Sequence, residues 1–178
     1  MKLKNNLGYI RSATPLDAQT LAFWWADGKV MEHAGFPNGI KTDINKLTDR
    51  LNNQLKSDTL WIIEDIHHQP IGEMHHSIKN GTATLGIKIC NQSKQGKGIG
   101  PAALKRLIRY LFEELDTKKI SLDTMIENTR AQHVYESLHF QKTKISEDVW
   151  KDQLGNLRTS VDYELSQEIY TNNKSSFE

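Results

Sequence analysis

The chain has 178 residues, with 23 Lys plus Arg against 22 Asp plus Glu and a formal net charge of +1. That length suits one domain with a real hydrophobic core, and the near-neutral charge excludes a dedicated nucleic-acid binder, which carries a basic excess on one face. A hydrophobic content of 37% with 25% charged residues excludes a disordered chain. No membrane association is expected, because the densest apolar stretch, Leu21 to Ala26, is far short of the roughly 20 residues a span needs.

The first twelve residues, MKLKNNLGYIRS, carry basic groups but no apolar run, so no secretion signal is expected. The lone cysteine, Cys90, has no intramolecular partner, and a reducing, cytoplasmic setting follows as the expectation. No repeat, low-complexity tract or linker divides the chain. It is read as one domain over 1–178, with its core at about 8–166 and a polar end, 171–178, expected to fray.

Leu7 to Arg11 predicts a short strand. Thr14-Pro15 supplies an N-cap and a proline at the first helical position, and the helix that follows carries Leu16, Thr20, Phe23 and Trp24 at helical spacing. Glycines and proline between Gly28 and Gly39 break it. Thr42-Asp43 caps a second helix with Ile44, Leu47, Leu51 and Leu55 on one face. Three strands come next: Leu60 to Ile63, Ile71 to Ile78, and Ala83 to Cys90. Asn80-Gly81 between the last two is a hairpin signal. Leu104, Leu107, Ile108, Leu111 and Leu115 mark an amphipathic helix. A strand over 119–124, a helix over 129–138, and two closing strands around Asp152 to Asn156 complete the order β-α-α-β-β-β-α-β-α-β-β. The fold class is α/β (α+β): a mixed, mostly antiparallel sheet flanked by helices, with one parallel crossover.

Gln95-Gly-Lys-Gly-Ile-Gly100 lies between a strand and a helix. Glycines let the backbone approach a ligand and take positive φ, and the helix N-terminus adds unpaired N–H groups and partial positive charge. That combination suits a phosphate or pyrophosphate. It is not a P-loop, which needs Lys-Ser/Thr where Pro101-Ala102 stand, and it lacks the dinucleotide spacing G-x-G-x-x-G. The pattern Q/R-x-x-G-x-G/A, which grips the pyrophosphate of coenzyme A, matches at Gln95, Gly98 and Gly100. About thirty residues on come Asn128-Thr-Arg-Ala131 and Tyr135-Glu-Ser-Leu-His-Phe140.

With these two motifs at this distance, the chain resembles the GNAT superfamily of acyl-CoA-dependent N-acetyltransferases over about 8–166. Within it, Trp24-Trp25-Ala-Asp27, Pro70-Ile-Gly72 and the Trp150…Gly155…Tyr163 hairpin look most like the ribosomal-protein-alanine and aminoglycoside acetyltransferase branch. The resemblance implies acetyl-CoA as co-substrate, with backbone groups of Gly96, Lys97, Gly98, Ile99 and Gly100 holding the pyrophosphate behind Gln95. Ile87, Lys88 and Ile89 would pair with the pantetheine as an added strand. Asn128 would touch the cofactor arm, Ala131 would leave room beside it, and Tyr135 would act as general acid toward the departing thiolate. It implies direct attack by an amine in a ternary complex, with a strand N–H stabilising the thioester oxygen. A homodimer is a further implication; a non-catalytic acyl-CoA-binding or regulatory module is the alternative reading.

Two positions depart from the family pattern. His139 stands where a glycine precedes the final phenylalanine, and is expected to take the left-handed backbone. Thr84 stands where the central strand often carries glutamate, so the base must be sought elsewhere, with Glu73 and His75 the nearest candidates in sequence. The paired histidines at 67–68 and 75–76 lack metal-ligand spacing, and no metal is expected. Trp24, Glu32, His33 and Phe36 are expected to line the acceptor pocket, the acceptor being a small amine, such as an aminoglycoside or polyamine, or a protein N-terminus.

Overall fold

The computed structural model describes residues 1–3 and 6–178. Its elements in chain order are β1 (Tyr9–Ser12), α1 (Ala18–Ala26), α2 (Gly28–Met31), α3 (Ile44–Asn52), β2 (Asp58–Glu64), β3 (Pro70–Lys79) and β4 (Thr82–Ile89). They continue with α4 (Ile99–Glu113), β5 (Lys119–Met125), α5 (Thr129–Ser137), β6 (Gln141–Lys151), β7 (Leu157–Ser166) and α6 (Gln167–Asn172). The expected order is present, with α2 and α6 added. The strands form one seven-stranded sheet, ordered β1-β2-β3-β4-β5-β7-β6, mostly antiparallel with the β4–β5 pair parallel. Among the described residues no helix is long and apolar enough to cross a membrane.

The parallel pair positions the site. β4 and β5 pair only at Thr82–Lys119, Ala83–Ile120 and Thr84–Ser121. Beyond that register β4 stays on β3, with His75 opposite Gly86 and Glu73 opposite Lys88, while β5 stays on β7. The two halves of the sheet therefore part, leaving the β5-facing edge of Leu85 to Ile89 without a strand partner. The hairpin before β4 is set by Asn80 and Gly81, with φ of +51° and +75°, the pair of positive angles a tight two-residue hairpin turn requires.

Each face of the sheet has its own apolar layer. On one, α4 and α5 bury Leu104, Leu107, Ile108, Leu111 and Tyr135 against Ile63, Met74, Leu85, Ile120 and Tyr163. On the other, α1 and α3 bury Leu21, Trp24, Leu47 and Leu51 against Leu60, Ile62 and Cys90. Side chains of this size, fully buried, contribute about 1.5–3 kcal/mol each.

Three expectations are corrected here. The inward face of α1 is Ala18, Leu21 and Trp24, whereas Leu16 and Phe23 point to solvent. The reason lies in Asp17, whose buried carboxylate takes both Arg11 guanidinium nitrogens at 2.7 and 2.8 Å and the Thr14 amide, and so fixes the rotation of the helix. In α3 only Leu47 and Leu51 are buried, because the helix ends at Asn52 before Leu55 can join the stripe. The polar end does not fray: α6 and a 3-10 turn over Lys174–Phe177 fold back. Phe177 is buried against Tyr170, and His139 bonds Ser176 at 3.0 Å. His139 takes φ +63°, as its place before Phe140 predicts.

Candidate active site

Where the sheet parts, a cleft of about 1080 Å³ opens between β4 and β5. Its floor at one end is the glycine loop. Gly96 and Gly98 adopt φ of +74° and +78°, and Gly98 caps α4 with no side chain of its own and no acidic residue in the first helical turn. Among the described residues, the amides of Gly96 through Gly100 donate to no backbone carbonyl. A Cβ at Gly96 would meet nothing within 4 Å. Open space, converging N–H groups and an uncapped helix terminus fit a pyrophosphate. Gln95 braces this cradle: its Nε2 donates to the Ile89 carbonyl at 2.9 Å, and its Oε1 accepts from Arg130 at 3.2 Å. Gln95 is thus a strut between strand, loop and α5, and Arg130 adds positive charge at the rim.

The walls come from both sides of the split. Ile87, Lys88 and Ile89 line one, and Asn128, Ala131 and Tyr135 the other. Asn128 caps α5, accepting from the Ala131 amide at 3.2 Å and donating to Thr124 at 3.1 Å. Tyr135 is buried, with its ring against Phe140 and Tyr163. Among the described residues its hydroxyl has no hydrogen-bond partner, and it lines the cleft. Burial, reinforced by the nearby charge of Asp123, pushes the phenol up to about 12, so it stays a donor across neutral pH.

The far end is closed by two segments distant in sequence. Glu32, His33 and Phe36 line it beside Trp150 and Gln153. Gly35 gives the Trp150 ring its place, since a Cβ there would fall 2.3 Å from the ring. Gln153 clasps the same segment: its amide N–H donates to Gly35, its Oε1 accepts from the Asn38 amide at 2.8 Å, and its Nε2 donates to Gly39 at 3.0 Å.

The remaining sequence-predicted residues lie elsewhere. Lys97 is exposed and does not line the cleft. Trp24 is buried in the α1–α3 layer and not in the pocket. Its neighbour Trp25 donates its indole N–H to Glu73 at 3.0 Å. Glu73 and His75 line a separate cavity of about 270 Å³, which meets the main cleft only at Gly86 and Lys88. There Glu73 is buried and ion-paired with Lys88 at 3.1 Å. Burial lowers the His75 pKa against the opposing charge of Glu73. His76, on the other face, accepts from Trp61 Nε1 at 2.9 Å and bonds the Lys56 carbonyl. Thr84, where the family often has glutamate, stands 3.4 Å from Ser121 at the last rung before the strands part. Cys90 is buried, and burial raises its thiol to about 12, so it is no activated nucleophile.

Sequence reasoning missed Asp123. It lies on β5 two residues past the last β4–β5 rung and lines the cleft with Tyr135. It is exposed to the open cleft, and partial desolvation there, with Asp162 as its register partner on β7, raises its pKa.

A parting parallel pair, a glycine cradle at a helix N-terminus beneath it and a tyrosine in the cleft define an acyl-CoA-dependent N-acetyltransferase. The comparisons agree: a model of the acetyltransferase (GNAT) domain matches residues 9–141, and the chain belongs to that family. An uncharacterized N-acetyltransferase p20 of Bacillus licheniformis is 27% identical over 144 residues, spanning 76% of this chain and 79% of that protein. Among solved structures, the spermidine N-acetyltransferase of Vibrio cholerae in complex with CoA and spermine superimposes with a TM-score of 0.83. The match spans 94% of this chain and 100% of that one at 21% identity. A GNAT-family acetyltransferase of Bacillus anthracis gives 0.77 at 18% identity, over 94% and 99%. At these identities the structural likeness is one of fold.

Proposed function

We propose that the protein moves an acetyl group from acetyl-CoA to a primary amine of a small polycation, by direct attack within a ternary complex. The observation that carries this reading is the cleft itself, which runs without interruption from the Gly96–Gly100 cradle past Tyr135 to the Glu32–Trp150 end. In it, the loop amides hold the pyrophosphate and the free edge of Ile87 to Ile89 pairs with the pantetheine arm. A β4 N–H takes the developing charge on the thioester oxygen. Tyr135 donates its O–H to the departing sulfur. Of the two acceptor classes the sequence leaves open, the small polycation is favoured by the Vibrio cholerae relative with CoA and spermine and by Glu32, Phe36 and Trp150, a carboxylate with aromatic walls, at the acceptor end.

The test begins with isothermal titration of acetyl-CoA into the wild type and a Gly98→Trp variant whose helical content is checked by circular dichroism. Thiol release is then followed with spermidine, spermine, an aminoglycoside and an N-terminal peptide. Wild-type binding that the bulky residue abolishes, with turnover on the polyamines, is the expected result. A folded wild type that binds no acetyl-CoA would overturn the reading, and turnover on the peptide alone would reassign the acceptor.

A further inference from the structure

A glycine on β4 stands where the cleft meets the smaller cavity, and Gly86 lines both. Neither backbone conformation nor close packing calls for glycine there. Its φ is not positive, and beyond its chain neighbours a Cβ would have one atom within 4 Å, His75 Nδ1 at 3.3 Å. Gly72 on β3 differs, since a Cβ there would fall 2.4 Å from the Lys88 carbonyl oxygen. Glycine inside a strand weakens it and often marks a place where a ligand comes close. A side chain at position 86 would stand on the His75 face and fill the junction of the two spaces.

The cavity behind Gly86 holds two polar groups with unused capacity. Glu73 is buried, and both bonds to its carboxylate, from Trp25 Nε1 at 3.0 Å and Lys88 Nζ at 3.1 Å, fall on Oε1. Among the described residues Oε2 takes no hydrogen bond, and neither ring nitrogen of the half-buried His75 makes one. Met31, Ile40 and Leu60 supply apolar walls, and Arg50 of α3 supplies a cation that reaches Asp58 only at 3.5 Å. We propose that this cavity is an acceptor subsite for an uncharged hydroxyl group, which enters past Gly86 and donates to Glu73 Oε2. This rests on the acetyltransferase reading above and narrows its acceptor, among small polycations, to those that carry hydroxyls.

The charges select the group. Lys88 already balances Glu73, and Arg50 lines the same space, so a second ammonium ion would be repelled by two cations. Burial lowers the His75 pKa, which leaves the ring neutral at pH 7, with one nitrogen to donate and one to accept. A hydroxyl adds no charge, gives its proton to Oε2 and accepts from His75 or Arg50. The cavity, at about 270 Å³, is several times the roughly 30 Å³ share of one water, enough for a hydroxylated arm. An analogue without the hydroxyl leaves the buried Oε2 unpaired, and a site built on such a bond discriminates strongly against it.

The experiment compares 2-deoxystreptamine with cis-1,3-diaminocyclohexane, which has the same ring and amines without the hydroxyls, by kcat/KM in wild type, Gly86→Val and Glu73→Gln. In the wild type the hydroxylated amine should be favoured about 10- to 150-fold, the span of one hydrogen bond to a charged group. Gly86→Val, whose β-branched side chain suits a strand, should bring that ratio to within about threefold of one, and Glu73→Gln should lower it as well. Glu73→Gln strips Lys88 of its counter-ion, so circular dichroism checks its fold, and Gly86→Val carries the test alone if it does not fold. A wild-type ratio near one, or a preference that survives Gly86→Val, overturns the proposal. If the wild type turns over neither amine, both are titrated into wild type and Gly86→Val by calorimetry in the presence of CoA. Tighter binding of the hydroxylated amine that Gly86→Val removes supports the subsite even where the transfer reading fails, and equal or absent binding refutes it.

Discussion

Replacing Tyr135 with phenylalanine removes one hydroxyl that has no hydrogen-bond partner among the described residues. The ring keeps its contacts with Phe140 and Tyr163, so stability should move by less than about 0.5 kcal/mol. The effect on rate can be set from the phenol's own basicity. Held at about 12, it is a weaker acid than a thiol of about 8.5, so complete proton transfer to the thiolate runs uphill by about 4.8 kcal/mol. A charge-assisted hydrogen bond to the departing sulfur is the cheaper route, and bonds of that kind contribute about 1.5–3 kcal/mol. The expected fall in kcat is therefore about 10- to 150-fold, smaller than the 10²–10⁴ of full proton donation. Single-turnover thiol release at saturating acetyl-CoA measures it, with titration calorimetry confirming unchanged cofactor affinity. A fall beyond a thousandfold would refute the hydrogen-bond argument, and one under threefold would remove Tyr135 from the chemistry.

Further outcomes follow from the same contacts. Phe177→Ala empties a buried aromatic site and should cost about 3–5 kcal/mol in urea unfolding; a cost under 1 kcal/mol would mean that the C-terminal turn is not docked in solution. Tyr135, Tyr163 and Tyr170 are all raised to about 12. Groups raised in the folded state stabilise it fully below the unfolded value near 10 and lose that contribution as pH climbs to 12, so a denaturant midpoint that holds across pH 10–12 would contradict their burial. Asp65 and Asp152 are held at about 2: for Asp65 the Lys94 partner outweighs burial, and for Asp152 the turn amides and Arg158 do. Their stabilisation is complete above about 4 and fades as pH falls toward 2, and Asp152→Asn should flatten part of that acid limb. Gly98→Ala places a side chain at φ +78°, which costs about 1–2 kcal/mol of stability and should weaken acetyl-CoA at least tenfold by calorimetry.

Much of this architecture is legible in local chemistry. Asn80-Gly81 dictates its turn, the period of Leu104 to Leu111 dictates α4, and the glycines of the cradle declare themselves because few other residues hold φ above +70° at that density. What was hidden depends on partners far along the chain. Asp123 looks like any polar residue alternating on a strand, and only the end of the β4–β5 ladder at Thr84–Ser121 turns it into a residue of the cleft. Glu73 and His75 lie on β3, the strand that pairs with the Thr84 strand, yet the split opens on the opposite side of β4, so closeness in sequence pointed to a cavity separate from the main cleft. The inward face of α1 is chosen by Asp17 and its Arg11 partner, a half-buried ion pair that hydrophobic periodicity cannot register.

The Gln153 clasp ties together residues 114 or more apart. Closing so long a loop costs about 4 kcal/mol in chain entropy, and three ordinary hydrogen bonds return only about 1.5–4.5 kcal/mol. The clasp gains little or nothing by forming ahead of the sheet; it closes most readily once β6 and β7 have carried Gln153 to its place. All the residues proposed to grip acetyl-CoA, from Ile87 to Tyr135, lie between the two ends of that loop. Because β5 and Tyr135 themselves lean on β7, which follows Gln153 in the chain, the cradle and the clasp are both completed only when the closing hairpin docks.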